Sequence, residues 1–211
     1  DSSAGVAKGM EIWSDGVLAR DGKIYGVPDS ADTVLCYDPA TNEASCFGEL
    51  GPGAHKWAGG VLAGDGKIYC TPWSHHQVLR IDPEAREVSF IDTQADDGGG
   101  TMSSLADHKW RGGVLAEDGC IYCIPWSAEG VLCIDPAAGT AVCFGELAEG
   151  DNKWAGAALA ANGRIYCVPY DAATALCIDP VARTATPMGD VGKGVRKWRG
   201  AVRGLDGRVY G

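Results

Sequence analysis

No stretch of the 211 residues approaches the run of roughly 18 or more apolar residues that a membrane helix requires, so the chain reads as soluble, with no membrane insertion. Positive charge is also scarce. Eighteen Lys and Arg against 28 Asp and Glu leave a formal net charge of -10. Phosphate contacts need clustered cations, so nucleic acid is excluded as a general partner. The acidic balance suits a solvated surface. There is no GxSxG nucleophile motif, no phosphate-binding glycine loop and no HExxH pair. No segment carries a convincing helical period. The chain opens at Asp1 without Met or a signal peptide, which points to processing or to excision from a longer protein. Nine cysteines are many for a reducing cytosol, but an odd number cannot all pair internally, so the compartment stays open.

What the sequence does have is repetition. Trp13, Trp57, Trp110, Trp154 and Trp198 stand 44, 53, 44 and 44 residues apart. The turn pairs Asp21-Gly22, Asp65-Gly66, Asp118-Gly119, Asn162-Gly163 and Asp206-Gly207 keep the same spacings. So do Asp38-Pro39, Asp82-Pro83, Asp135-Pro136 and Asp179-Pro180. The one longer interval carries nine extra residues around Ala95 to Ser104, rich in Gly and Asp, which read as a surface loop. The second unit reads as four short strands: a from Trp57 to Ala63, b from Lys67 to Pro72, c from Gln77 to Asp82 and d from Glu87 to Asp92. An Asp-Gly pair tolerates the positive φ of a tight hairpin between a and b. β-branched and aromatic residues fill the strands.

Four antiparallel strands in a repeat of about 44 residues predict an all-β fold, a β-propeller with about four and a half blades present. A β-solenoid is the alternative, but its repeats are usually shorter. The blades are expected at approximately 10–54, 55–106, 107–151 and 152–194, with a partial blade at 195–211. Residues 1–9 read as the end of a preceding blade or a closing strand, and the whole of 1–211 as a single propeller, which suggests a piece of a larger disc or assembly. The stretch from Asp21 to Glu43, DGKIYGVPDSADTVLCYDPATNE, resembles the kelch type of repeat, and the units are similar to those of the kelch, NHL and YVTN propeller families. That resemblance implies the fold, which hosts many unrelated activities.

Propeller geometry sorts the loops onto two faces. The a-to-b and c-to-d turns share one, and their Asp-Gly and Asp-Pro pairs have a sufficient structural reason. The d-to-a and b-to-c loops share the other. That face is expected to receive Lys56, Lys109, Lys153 and Lys197 before the repeat Trp, with Ile12 as the exception. It also receives Trp73, Trp126 and Tyr170 after strand b, with Asp29 as the exception, together with Arg111 and Arg199. Aromatic faces beside cations can bind sugars, anionic ligands or a protein partner. The alternative is that the lysines are solvated and the aromatics pack between blades. All four histidines, His55, His75, His76 and His108, map to one sector of this face and are the residues that could ligate a metal or act as general base.

The cysteines follow the repeat as well. Cys123 with Cys133, Cys167 with Cys177, Cys36 with Cys46 and Cys133 with Cys143 each lie ten apart across a hairpin. Cys133 cannot pair both ways, and Cys70 faces Arg80, so buried free thiols are favoured over disulfides. Zinc is a remote third reading, because Cys120 and Cys123 form CxxC within a strand. The leading functional expectation is a non-catalytic binding or scaffold module, without a cofactor, offering one loop face to a protein, peptide or glycan. One alternative is a metal-dependent enzyme of the lactonase or lyase type, as some NHL-like propellers are, built on the His cluster. Another is an accessory subunit of a larger assembly.

Overall fold

The computed structural model describes residues 12–95 and 107–211. The expected closing strand at 1–9, and the inserted loop beyond Ala95, lie outside the described residues. Eighteen strands are present among those described, and no helix. The first blade comprises β1 (Trp13–Leu18), β2 (Ile24–Pro28), β3 (Val34–Asp38) and β4 (Glu43–Phe47). The second has β5 (Trp57–Leu62), β6 (Ile68–Pro72), β7 (Gln77–Asp82) and β8 (Glu87–Ala95). The third has β9 (Trp110–Leu115), β10 (Ile121–Pro125), β11 (Val131–Asp135) and β12 (Thr140–Phe144). The fourth has β13 (Trp154–Leu159), β14 (Ile165–Pro169), β15 (Ala175–Asp179) and β16 (Thr184–Met188). Two short strands, β17 (Val202–Arg203) and β18 (Val209–Tyr210), form the half blade at the end. Each blade is an antiparallel meander in sequence order. The result is a partial β-propeller.

One side-chain device recurs at four of the five a-to-b hairpins, and at the other Asn162 donates its Nδ2–H to the Tyr166 hydroxyl at 2.9 Å. The turn Gly takes a left-handed backbone, at φ 79° for Gly22 and 84° for Gly119. The preceding Asp then accepts two bonds. Asp118 Oδ1 takes the Cys120 N–H at 2.9 Å, and Asp118 Oδ2 takes the Tyr122 hydroxyl at 2.7 Å. Asp21 with Tyr25, Asp65 with Tyr69 and Asp206 with Tyr210 repeat the bond at 2.9, 2.9 and 2.7 Å. The c-to-d turns are fixed the same way, with Asp82 Oδ1 accepting from the N–H groups of Glu84 and Ala85.

Packing runs between blades. Successive strand residues point to opposite faces of a sheet. In β10, Ile121 and Cys123 join the core shared with the second blade, while Tyr122 and Ile124 join the core shared with the fourth. A third core joins the first two blades through Val27, Val34, Trp57, Leu79 and Ile81. The repeat Trp sits at the start of each innermost strand. In blades two to four its ring is buried and its indole N–H donates to a carbonyl at the entry to strand c: Trp57 to Gln77 at 2.9 Å, Trp110 to Gly130 at 2.8 Å, Trp154 to Thr174 at 2.9 Å. Trp13 is the exception, since its buried Nε1 finds no partner among the described residues.

Two expectations change in detail. Strand d of the second blade continues three residues past Asp92, and its end pairs in parallel with β12 through Thr93↔Ala141, Gln94↔Val142 and Ala95↔Cys143. Blades two and three thereby share one 8-stranded sheet. The ten-residue cysteine pairs also miss by one position. Cys133 lies opposite Tyr122, and Cys123 opposite Leu132. Cys36 likewise faces Ser45, and Cys46 faces Leu35. A one-residue offset puts the two sulfurs on opposite faces, where no disulfide can reach. All nine cysteines are free thiols, six of them buried. Burial pushes the Cys123 thiol up to about 12.

Candidate functional site

The ring of loops on one face is built by backbone bridges between blades. The Lys N–H before each repeat Trp donates to the carbonyl of the residue after strand b in the preceding blade. Lys56 meets Asp29 at 2.8 Å, Lys109 meets Trp73 at 2.8 Å, Lys153 meets Trp126 at 2.7 Å and Lys197 meets Tyr170 at 2.9 Å. The carbonyls of Lys56, Lys109 and Lys153 are in turn bonded within their own blades, as Lys109 is to the Trp126 N–H at 2.9 Å. Lys56, Lys109 and Lys153 are buried. Lys56 Nζ donates to the Gly51 carbonyl at 2.8 Å, Lys153 Nζ to Ala128 and Ala148 at 2.7 and 2.8 Å, and Lys197 Nζ to Gly194 at 2.7 Å. Burial holds the Lys109 and Lys153 ammonium groups below the ordinary lysine range. Lys56, Lys109 and Lys153 therefore lie beneath the face and tie its loops together, while Lys197 is half-buried.

Above them the aromatics form an arc. His55 meets His108 edge-on at 6.0 Å, His108 lies 4.8 Å from Trp73, Trp73 5.5 Å from Trp126, and Trp126 5.0 Å from Tyr170. The Arg111 guanidinium spans the middle of this arc, 5.7 Å from the Trp73 ring and 4.9 Å from Trp126. Trp73 and Tyr170 are partly exposed and Trp126 is buried between them.

The four histidines divide into two pairs. His55 and His108 stand at the inner rim, each on a left-handed residue (φ 57° and 61°), a position that Asn152 and Arg196 fill in the next units. His55 Nδ1 is 3.2 Å from Asp29 Oδ1. His75 and His76 stack on one another at 4.6 Å, and His75 covers the Trp57 ring at 4.5 Å. His75 Nδ1 accepts the Gln77 N–H at 3.1 Å, and burial lowers its affinity for a second proton. Among the described residues no group of three His, Cys, Asp or Glu could hold a metal ion. The printed ring contacts join His55 to His108 and His75 to His76.

Inside the arc lies a cavity of about 820 Å³. His55, Trp73, His108 and Asp29 edge it. Its walls are the two residues after each repeat Trp: Ser14-Asp15, Ala58-Gly59, Arg111-Gly112, Ala155-Gly156 and Arg199-Gly200. Two of these glycines have a steric reason. A Cβ on Gly59 would sit 2.5 Å from the Cα of Gly112, and one on Gly156 would sit 2.7 Å from the Cα of Gly200. Innermost strands touch there. Asp15 and Ser14 were not legible as cavity residues from spacing alone. The available signal was their departure from the Ala-Gly or Arg-Gly pair of the other units.

No family model matches the sequence, and no curated protein matches it. Solved structures do match in shape. Catalytically inactive virginiamycin B lyase from Staphylococcus aureus, solved with quinupristin, superposes with a TM-score of 0.71 at 11% identity, over 93% of this chain and 61% of that one. A streptogramin B lyase gives 0.72 at 14% identity, over 93% and 60%. Hydrazine synthase from Kuenenia stuttgartiensis gives 0.67 at 15%, over 97% and 58%. The shared fold is the β-propeller. At these identities the likeness concerns the fold alone. The chain spans about 60% of the length of the two lyases.

Proposed function

We propose that this chain is a binding module whose loop face takes up a protein, peptide or glycan, without catalysis by the module itself. The observation that carries the reading is the aromatic arc from His108 through Trp73 and Trp126 to Tyr170, with Arg111 lying over two of its rings. Rigid aromatic surface costs little side-chain entropy when it is covered, and Trp, Tyr and Arg are the residue types that dominate binding energy at interfaces. Glycans stack on such surfaces, and peptides supply the carboxylates and backbone carbonyls that accept from an arginine fork. On the opposite face the turn aspartates already bond their own turns.

The test is a pair of screens with the 211-residue chain, one on immobilised glycans and one on immobilised peptides. Tyr170→Ala and Trp73→Ala are expected to weaken any captured ligand at least tenfold, while Arg164→Ala on the opposite face leaves it unchanged. Capture that survives both aromatic changes would sink the reading.

A further inference from the structure

The third blade departs from its neighbours at the entry to strand b. In the first, second and fourth blades the residue after the turn Gly is a cation, Lys23, Lys67 or Arg164. It pairs with the Asp that ends strand c: Lys23 with Asp38 at 3.8 Å, Lys67 with Asp82, and Arg164 with Asp179 at 2.9 Å. Each of those blades thus ties the start of strand b to strand c by charge. In the third blade the same position is Cys120.

Strand c supplies a second thiol. The residue opposite the strand-b Tyr is Cys36, Arg80, Cys133 or Cys177, in blade order. Only the third blade combines a thiol there with one at the entry to strand b. Residues two apart on a strand share a face, so Cys120 lies on the Tyr122 side of the sheet, and Cys133 lies opposite Tyr122 on that same side. Both pack in the core between the third and fourth blades. The two thiols are in hydrogen-bond contact, and the Tyr122 hydroxyl also contacts Cys133. This sets them apart from the cysteines ten residues apart, whose sulfurs lie on opposite faces. Cys133 is buried and Cys120 half-buried, so solvent reaches the pair through Cys120.

We infer that Cys120 and Cys133 are a redox pair that closes to a cross-strand disulfide, with a small-molecule disulfide as oxidant. The Cys120 thiolate attacks the oxidant, forms a mixed disulfide and releases one small thiol. The Cys133 thiolate then attacks the Cys120 Sγ, forms the Cys120–Cys133 bond and expels the second small thiol. The protein thiols give up two electrons and two protons, and the two released thiols carry them away. The new bond holds the entry of strand b to strand c, where the other blades use an ion pair. Burial pushes the Cys120 thiol up to about 12 and raises Cys133 as well, so the attacking thiolate is scarce at neutral pH. Closure is therefore slow there and accelerates as pH rises. The pair sits at an a-to-b turn, away from the loop face, so the inference stands apart from the binding reading.

The experiment incubates the 211-residue chain with oxidised glutathione at mildly alkaline pH, in a Cys46→Ser background that removes the exposed thiol. After acid quenching and unfolding, remaining thiols are alkylated and peptide mass spectrometry maps the disulfides. A Cys120–Cys133 crosslink is expected, with loss of both thiols from alkylation and full recovery on reduction. Cys133→Ser should leave Cys120 as a persistent mixed disulfide with glutathione. Cys177, the counterpart of Cys133 in the fourth blade, has Arg164 in place of a second thiol and should form no crosslink. The inference is overturned if Cys120 stops at the mixed disulfide while Cys133 is present, or if it crosslinks to another cysteine. It is equally overturned if both thiols remain alkylatable, or if Cys177 crosslinks to the same extent.

Discussion

The third blade and the half blade at the end carry nearly the same local sequence and end up in different surroundings. Tyr122 and Tyr210 each donate to the Asp of their own hairpin at 2.7 Å. Yet Tyr122 is 2% exposed and Tyr210 50%. Trp110 is fully buried, whereas Trp198 is 36% exposed. The hairpin chemistry is thus complete within a unit, while burial comes from the blades on either side. Blade stability in this architecture is mostly a nearest-neighbour quantity.

That contrast can be broken most sharply at the tryptophans. Trp110→Ala removes a fully buried ring and the bond to Gly130, and should cost about 3–5 kcal/mol; Trp198→Ala should cost less than half as much. Urea unfolding of the two variants measures the difference, and equal losses would contradict a neighbour-driven account. Glycines give the next largest contrast. Gly59→Ala places a Cβ against the Gly112 backbone at φ 92° and should cost about 2 kcal/mol. At Gly200 a Cβ meets nothing within 4 Å, so Gly200→Ala should be close to neutral in the same unfolding assay.

A smaller effect concerns His75, whose proton affinity is lowered by burial against Trp57. The unfolded chain binds the proton more tightly, so stability is full above the unfolded value of about 6.5 and falls as pH drops from there through the folded value. His75→Gln should flatten that part of the stability profile. The smallest contrast is chemical. Cys46 and Cys143 hold the same strand-d position, but Cys46 is exposed and Cys143 buried. Alkylation of the native protein, read by peptide mass, should label Cys46 rapidly and spare Cys143, Cys70 and Cys123.

Much of the fold was legible because its markers are local. Asp-Gly and Asp-Pro turns carry their own hydrogen bonds, so three series of such markers with one period determine strands without any knowledge of neighbours. The cysteine register was not legible, because an offset of one residue leaves the spacing of ten unchanged while reversing the face. Nor was the pairing of β8 with β12, which depends on where two distant strands arrive in space. The site was half legible. Trp73, Trp126, Tyr170 and Arg111 do converge, as loop positions suggested. The lysines beside them turned inward because each backbone had to bridge two blades, and the long side chain followed into the gap below. The histidines separated because two lie before strand a, near the axis, and two lie in a b-to-c loop that folds back over Trp57.

The parallel pairing of β8 with β12 has a mechanical corollary. Among the described residues no other neighbouring blades have their outer strands joined by a ladder. Blades two and three are clasped along their spine as well as at the axis. Under a pulling force, or in slow hydrogen exchange, those two should yield as one leaf, later than the first and fourth, and the cavity wall formed by Gly59 and Gly112 would be the last part of the disc to lose its shape.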